Sequence, residues 1–328
     1  MTSSTEEAAR AHEAQSRLDR AAMYLPGAKP WLAVGEASGS WIHDITGTKY
    51  LDFGEGGRIS ILGHSCAEPT FFLREHLNHY MYPGSDAAAG YVTRYAELLS
   101  RRFPSDSEGN PWKVQVCSGV AEARQIVQPL DVVEVRLDFA DGAVFDVVRR
   151  ARERGKLVMV DEVDSGFGRT GHFLGLSRYD LIPDIVLLGP SGGGGLPFAA
   201  VVAPGSVFPA EFSAFTSPPV CASALGVLSN MTAQLFAHVT EMGGLLEERI
   251  MEVSQQFGNS IRAVEGAGLL RRIILSEPEK AQRFRMECRH KGLIVGPGLL
   301  LTPPLTVQAD EVEAAVDMMA DVFLEWDS

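Results

Sequence analysis

Three short stretches carry most of the side chains that could do chemistry. In YLDFGEGGRISILGH (50–64), Glu55 and Arg58 place an acid and a base close together in sequence, a pairing suited to proton transfer or to holding a polar ligand. In KLVMVDEV (156–163), Asp161 closes an apolar run and Val163 follows two residues later, on the same side of a strand. A carboxylate ending a buried strand costs several kcal/mol, or shifts its pKa, unless something pairs with it, so Asp161 is read as facing a ligand. In KVQVCSG (113–119), Cys117, Ser118 and Gly119 stand between a strand and a helix start near Ala121–Arg124, a place suited to an anion.

The elements that position these residues follow from periodicity. KVQVCSG, VVEVRL (132–137), KLVMVDEV and PDIVLLG (183–189) are Val-, Ile- and Leu-rich runs, as strands buried on both faces should be. AVFDVVRRARERG between the second and third is a crossover helix ending in glycine, so the pattern predicts a largely parallel sheet. Upstream, a helix over 5–23, capped at Ser4 or Thr5, precedes a hairpin of Ser40–His43 and Tyr50–Phe53 around Asp44–Gly47. Helices are predicted over 68–81 and 87–103. Beyond about 225, helices over 222–257 (with a break at Gly243–Gly244), 277–291 and 309–326 surround strands at 268–275 and 292–295. The expected organisation is an N-terminal segment over 1–49 joining the small domain, a large α/β domain over 50–225 and a small α+β domain over 226–328.

With 328 residues, 45% of them hydrophobic, the chain has enough apolar content for two cored domains. A formal charge of −13 opposes binding to nucleic acid or an anionic membrane, because the phosphate term would be repulsive. Cys66, Cys117, Cys221 and Cys288 show no paired spacing, and the histidines show no metal spacing, so neither disulfides nor a metal is expected. The start lacks an apolar signal core, and a cytoplasmic protein is the expectation. The one long uncharged run, Ile185 to Ala210, is broken by Gly192–Gly195 between Pro190 and Pro197, and so reads as strand, turn, strand.

Residues 156–203, together with GFGRTG (166–171), closely resemble the core of the class III aminotransferases, a fold type I family that uses pyridoxal phosphate (PLP). The resemblance implies an α/β fold with a mostly parallel sheet, helices on both faces and a smaller α+β domain. It also implies a homodimer acting on a small molecule. It assigns Asp161 to the pyridine nitrogen, Val163 to the floor beneath the ring, Ser118 and Gly119 to a phosphate cup, and Ser213 to a threonine that a neighbouring subunit offers to the phosphate. The departures are as informative. Pro190 stands where the Schiff-base lysine belongs, with Gly189 or Ser191 there on a one-residue slip, and no lysine occurs between Lys156 and Lys280. Val120 and Ala121 displace the second hydroxyl of the cup, and Leu300 falls near the position of the substrate-gripping arginine. Only Arg124–Asp131 separates the cup from VVEVRL, where the family has several strands and helices.

These departures lead to an expectation of vestigial cofactor residues and no cofactor, covalent PLP being excluded by Pro190. The implied function is a PLP-independent enzyme of cyclase, isomerase, dehydratase or other lyase type, acting on a small metabolite in a specialised biosynthetic pathway through Asp161, Glu55, Arg58 and Cys117. Two alternatives remain open: a non-catalytic partner of an active aminotransferase, and an enzyme that holds PLP or pyridoxamine phosphate without a covalent bond. A cleft at Asp161 filled by side chains favours the non-catalytic partner, and an open one favours the enzyme.

Overall fold

A computed structural model describes residues 2–27, 30–84, 89–139, 143–179, 181–208 and 216–327. Helix α1 (Thr2–Tyr24) starts ahead of the expected cap, and strands β1 (Val34–Ser38), β2 (Trp41–Asp44) and β3 (Lys49–Phe53) follow. The β2–β3 hairpin is the predicted one. Asp44 fixes its turn, its Oδ1 accepting from the N–H groups of Thr46 at 2.8 Å and Thr48 at 2.9 Å. Helices α2 (Glu55–Ile59), α3 (Ala67–Leu77) and α4 (Gly90–Ser100) lead into β4 (Lys113–Cys117). The large sheet is then built from α5 (Val120–Val127), β5 (Val132–Arg136), α6 (Ala143–Glu153), β6 (Leu157–Glu162), β7 (Ile185–Leu188) and β8 (Ala199–Ala203). The chain continues through α7 (Pro218–Ser229), α8 (Ala233–Gln256), β9 (Ile261–Ala267), β10 (Leu270–Leu275), α9 (Ala281–His290), β11 (Leu293–Val295), β12 (Leu300–Leu301) and α10 (Ala309–Asp327).

The large sheet has the order β4-β8-β7-β6-β5, with β8 antiparallel to both its neighbours and the other four strands pointing one way. The α/β, mostly parallel expectation holds. Alternation sorts the side chains: Val158, Val160, Val186, Leu188, Ala200 and Val202 join α6 in the main core. Met159, Val163, Ile185, Leu187, Val201 and Cys117 face the other way and are covered by Ala123, Ile126 and Val127 of α5. Burial on both faces is true of β6, β7 and β8 but not of β4 and β5, which are the edges and are each partly exposed.

A second sheet, β1-β2-β3-β11, pairs the N-terminal hairpin in parallel with β11, and a third, β12-β10-β9, is antiparallel. β1 and β9 were not foreseen. The helix expected over 222–257 breaks at Asn230–Thr232, where α7 and α8 meet at 75°, and passes unbroken through Gly243–Gly244. Gly243 is there for space: a Cβ on it would lie 2.2 Å from the carbonyl oxygen of Gly268. The run from Ile185 is strand, turn, strand as read. No single described helix is long and apolar enough to cross a membrane.

Candidate functional site

Asp161 lies at the carboxyl end of β6 on the α5 side of the sheet, and only 1% of it is exposed. Its Oδ1 accepts the Val163 N–H at 2.8 Å, and its Oδ2 accepts Arg124 Nη2 at 2.7 Å with Arg136 Nε 3.3 Å away. The pairs extend outward. Arg124 also reaches Glu134 at 2.8 Å, Arg136 reaches Asp164 at 3.5 Å, and Arg58 Nε lies 2.9 Å from Asp164 Oδ1 as an ion pair whose N–H is not aimed as a hydrogen bond. Asp138 adds a further acid, 3.9 Å from Arg136. Three guanidinium groups therefore meet Glu134, Asp138, Asp161 and Asp164, one carboxylate too many for neutrality.

Proton affinity reflects that surplus. Desolvation, then the neighbouring Asp164, push Asp138 up to about 6, and its Oδ1 is buried without a partner. Burial also raises Asp161, opposed by the Val163 N–H and by the arginines. Asp138 thus changes state near pH 6, within reach of neutrality.

The start of α5 makes a second, smaller arrangement. Glu122 Oε2 accepts both the Ser118 N–H at 2.7 Å and the Ser118 hydroxyl at 2.6 Å, as a carboxylate three residues into a helix can. An anion therefore already rests on Ser118. Gly119, the N-cap, has extended backbone with φ 172°.

The structure brings Asp161, Val163, Arg58 and, through α5, Ser118 into one neighbourhood, and it leaves other candidates out. Glu55 is exposed on α2. Cys117 is buried against Ala123 and Ile126, with its thiol pushed up to about 12 by burial, so it stays protonated at neutral pH. Ser213 lies outside the described residues. Asp164 joins the Asp161 network through Arg58 and Arg136. Glu162 points away: its carboxylate is fully buried and accepts Ser165 Oγ, Gly175 N–H and Leu176 N–H at 2.6, 2.9 and 2.6 Å. Sequence reasoning missed Arg124, Arg136 and Asp138. The last two had a legible signal, since Glu134, Arg136 and Asp138 fall on one face by strand alternation.

After β7 the backbone passes through Gly189 into a 3-10 turn over Pro190–Gly193. Gly189 is obligatory, because a Cβ would meet the Val163 carbonyl oxygen at 2.3 Å. Ser191 is buried with its hydroxyl unpaired. Arg169 of GFGRTG is 1% exposed and donates to the carbonyls of Pro303, Gly57 and Arg58, stitching the β6 loop to α2 and to the C-terminal segment. His64 Nε2 lies 2.9 Å from Asp52 Oδ2 beside that junction.

Residues 139–323 match the family profile described as aminotransferase class III, more than half of the chain, and the protein belongs to that family. Acetylornithine aminotransferase of Gloeobacter violaceus is 34% identical over 193 residues, a stretch covering 56% of this chain and 48% of that one, so this match spans about half of the relative's length. The Aquifex aeolicus acetylornithine aminotransferase is 23% identical over 368 aligned positions, covering 87% and 95%. Among solved structures, ornithine aminotransferase of Toxoplasma gondii, described with partial occupancy of PLP at its active site, superposes with a TM-score of 0.82 at 16% identity, covering 95% of each chain. The fold is that of the fold type I enzymes.

These relatives overturn the expectation that no cofactor is used. They are aminotransferases, and one of the solved structures is described with PLP at its active site. The residues present fit its charges. Asp161 already holds a cation, the Arg124 guanidinium, and Ser118 already holds an anion, the Glu122 carboxylate. No lysine occurs between Lys156 and Lys280.

Proposed function

We propose that this protein is an enzyme of the class III aminotransferase family that holds a pyridoxal-type phosphate by contacts alone and acts on a small amino-acid-type molecule. The observation that carries the reading is the pair of stand-in charges on α5. Arg124 and Glu122 complete Asp161 and Ser118 with the same charges, a buried carboxylate facing a cation and a helix start facing an anion, that a pyridinium and a phosphate present. Both are partly exposed side chains that rehydrate when displaced, which keeps the cost of moving them small. The bound group supplies an electron-withdrawing ring.

The chain's own part would then be as follows. Asp161 Oδ2 accepts the ring cation in place of Arg124, while the Val163 N–H keeps the carboxylate oriented. Ser118 donates its hydroxyl and N–H to the phosphate. Arg58 and Arg136, held by Asp164, offer guanidinium groups to a substrate carboxylate. Asp138, raised to about 6, takes and returns a proton near neutral pH. We further propose a homodimer, supported by Phe71, Leu77 and Met81, apolar side chains 59, 43 and 63% exposed in and just beyond α3. A second reading, a non-catalytic partner of an active relative, draws support from the closure of Asp161 by two arginines.

Equilibrium dialysis with PLP and with pyridoxamine phosphate, followed by circular dichroism in the cofactor's absorption band, tests the proposal. Saturable binding that borohydride does not fix to the chain is expected, at least tenfold weaker in Asp161→Asn and tighter in Arg124→Gln. Absence of saturable binding in both wild type and Arg124→Gln overturns it in favour of the second reading. A single lysine trapped by borohydride overturns the contacts-alone part.

A further inference from the structure

A cavity of about 430 Å³ lies between the segment before β1, the start of β3 and the end of α9, far along the chain from Asp161, and it shares no residue with the Asp161 network. Its wall combines flat rings with positive charge: Trp31, Lys49, Tyr50, Arg289, His290 and Lys291. Trp31 and Tyr50 meet edge to face, with ring centroids 5.4 Å apart, and the Arg289 guanidinium lies 3.9 Å from the centre of the Trp31 ring.

The charge there is uncompensated. Among the described residues, no carboxylate pairs with Lys49 or Arg289, in a chain whose net charge is −13. Lys291 does have a partner, Glu325. Asp44, the acid nearest Tyr50, spends its carboxylate on the β2–β3 turn. Burial, then the neighbouring Arg285, lower the proton affinity of Arg289, the mark of a cation lacking an anion. Volumes of a few hundred Å³ suit small ligands, and aromatic rings beside arginine suit a flat heterocycle carrying phosphate.

We infer that this cavity is a binding site for a nucleoside phosphate, its base against Trp31 and Tyr50 and its phosphates on Lys49 and Arg289. Neither part suffices alone: the rings carry no charge, and the cations are too open to hold a small anion strongly. Isothermal titration of the whole purified chain with ADP, adenosine and inorganic phosphate as separate probes tests it. ADP is expected to saturate one site per chain, with adenosine and phosphate each at least tenfold weaker. Arg289→Gln and Trp31→Leu should each weaken ADP at least tenfold while leaving PLP binding unchanged, which separates this site from the one at Asp161. Lys49→Gln, at an exposed position, should weaken ADP severalfold and keeps the test readable if either of the half-buried variants misfolds. No saturable ADP binding, phosphate binding as tightly as ADP, or ADP affinity unchanged in Lys49→Gln and Arg289→Gln overturns the assignment.

Discussion

Replacing Asp161 with Asn separates the part this carboxylate plays in holding the fold from its part in binding. The side chain makes one buried hydrogen bond, from the Val163 N–H to Oδ1, and two ion pairs through Oδ2. An amide has one oxygen to offer. If it stays on Val163, the NH2 group faces two guanidinium donors, and if it turns to them, a buried N–H loses its acceptor at ~1–3 kcal/mol. The arginines are 42 and 57% exposed and rehydrate when released, so their loss counts at the ~0.2–1 kcal/mol of surface pairs rather than the ~3–5 of a fully buried one. Removing a charge whose burial already raises its pKa returns part of this. The net is a destabilisation of roughly 1–2 kcal/mol, or a fall in melting temperature of about 1.5–3 °C for a chain of this size. Thermal melts by circular dichroism, run alongside PLP dialysis, should show that small fall with binding lost at least tenfold. A fall beyond about 10 °C would mean that Asp161 is chiefly a structural anchor, and unchanged PLP affinity would show that it does not face the cofactor.

Three further outcomes follow from buried groups. Glu162 is raised by desolvation from 4.5 to about 7, so its contribution to stability is complete below pH 4.5 and lost as pH rises through 7, about 3 kcal/mol in all; urea melts of Glu162→Gln should lack that part of the wild-type slope, and parallel profiles would refute the assignment. Arg169→Met strips donors from the carbonyls of Gly57, Arg58 and Pro303 and should cost ~3 kcal/mol or more in a denaturant titration; a cost below about 1 would show that water replaces the guanidinium. Cys117, Cys221 and Cys288 are buried with thiols pushed up to about 12 or beyond, so a neutral-pH thiol titration of the native chain should count Cys66 alone, and a second fast thiol would contradict the burial.

What the sequence made legible and what it hid divide along physical lines. The buried strands β6 and β7 announce themselves as unbroken apolar runs, and Asp161 stands out because a carboxylate at the end of such a run demands a partner. The hairpin was legible because Asp44 and Gly47 have turn chemistry. The edges β4 and β5 look equally apolar in sequence, since which strand lies at a sheet's rim depends on the whole topology. The identity of Asp161's partners was hidden for a related reason: Arg124 is 37 residues away and sits on a helix whose path the local pattern does not specify. Glu55 and Arg58 stand as a possible pair in sequence, but in α2 Arg58 reaches Asp164 while Glu55 stays in solvent.

The path of α5 explains most of the site. β4 and β5 are opposite edges of a five-stranded sheet, so the connection between them must cross four inter-strand gaps, roughly 19 Å at about 4.8 Å each. It does so within residues 118–131, of which the eight in α5 span ~12 Å and the other six at most ~20 Å, leaving little slack once the chain has also returned along the strand direction. The helix is therefore drawn tightly across the face that carries Met159, Asp161 and Val163, and Ala123, Ile126 and Val127 become the cover of that face. With its apolar side fixed inward, the polar residues of its first turns have few places to go: Glu122 folds back onto Ser118, and Arg124 extends to Asp161. The short connection, which in sequence resembled a loss of the site, thus closes the sheet and supplies both the cation paired with Asp161 and the carboxylate on Ser118. Lengthening it tests this account. Four glycine and serine residues inserted after Gln128 should slacken α5, expose Asp161 and tighten PLP binding; binding unchanged or weakened, in an insert that still melts cooperatively, would show that Arg124 and Glu122 are held in place by their own pairs and not by the span of the connection.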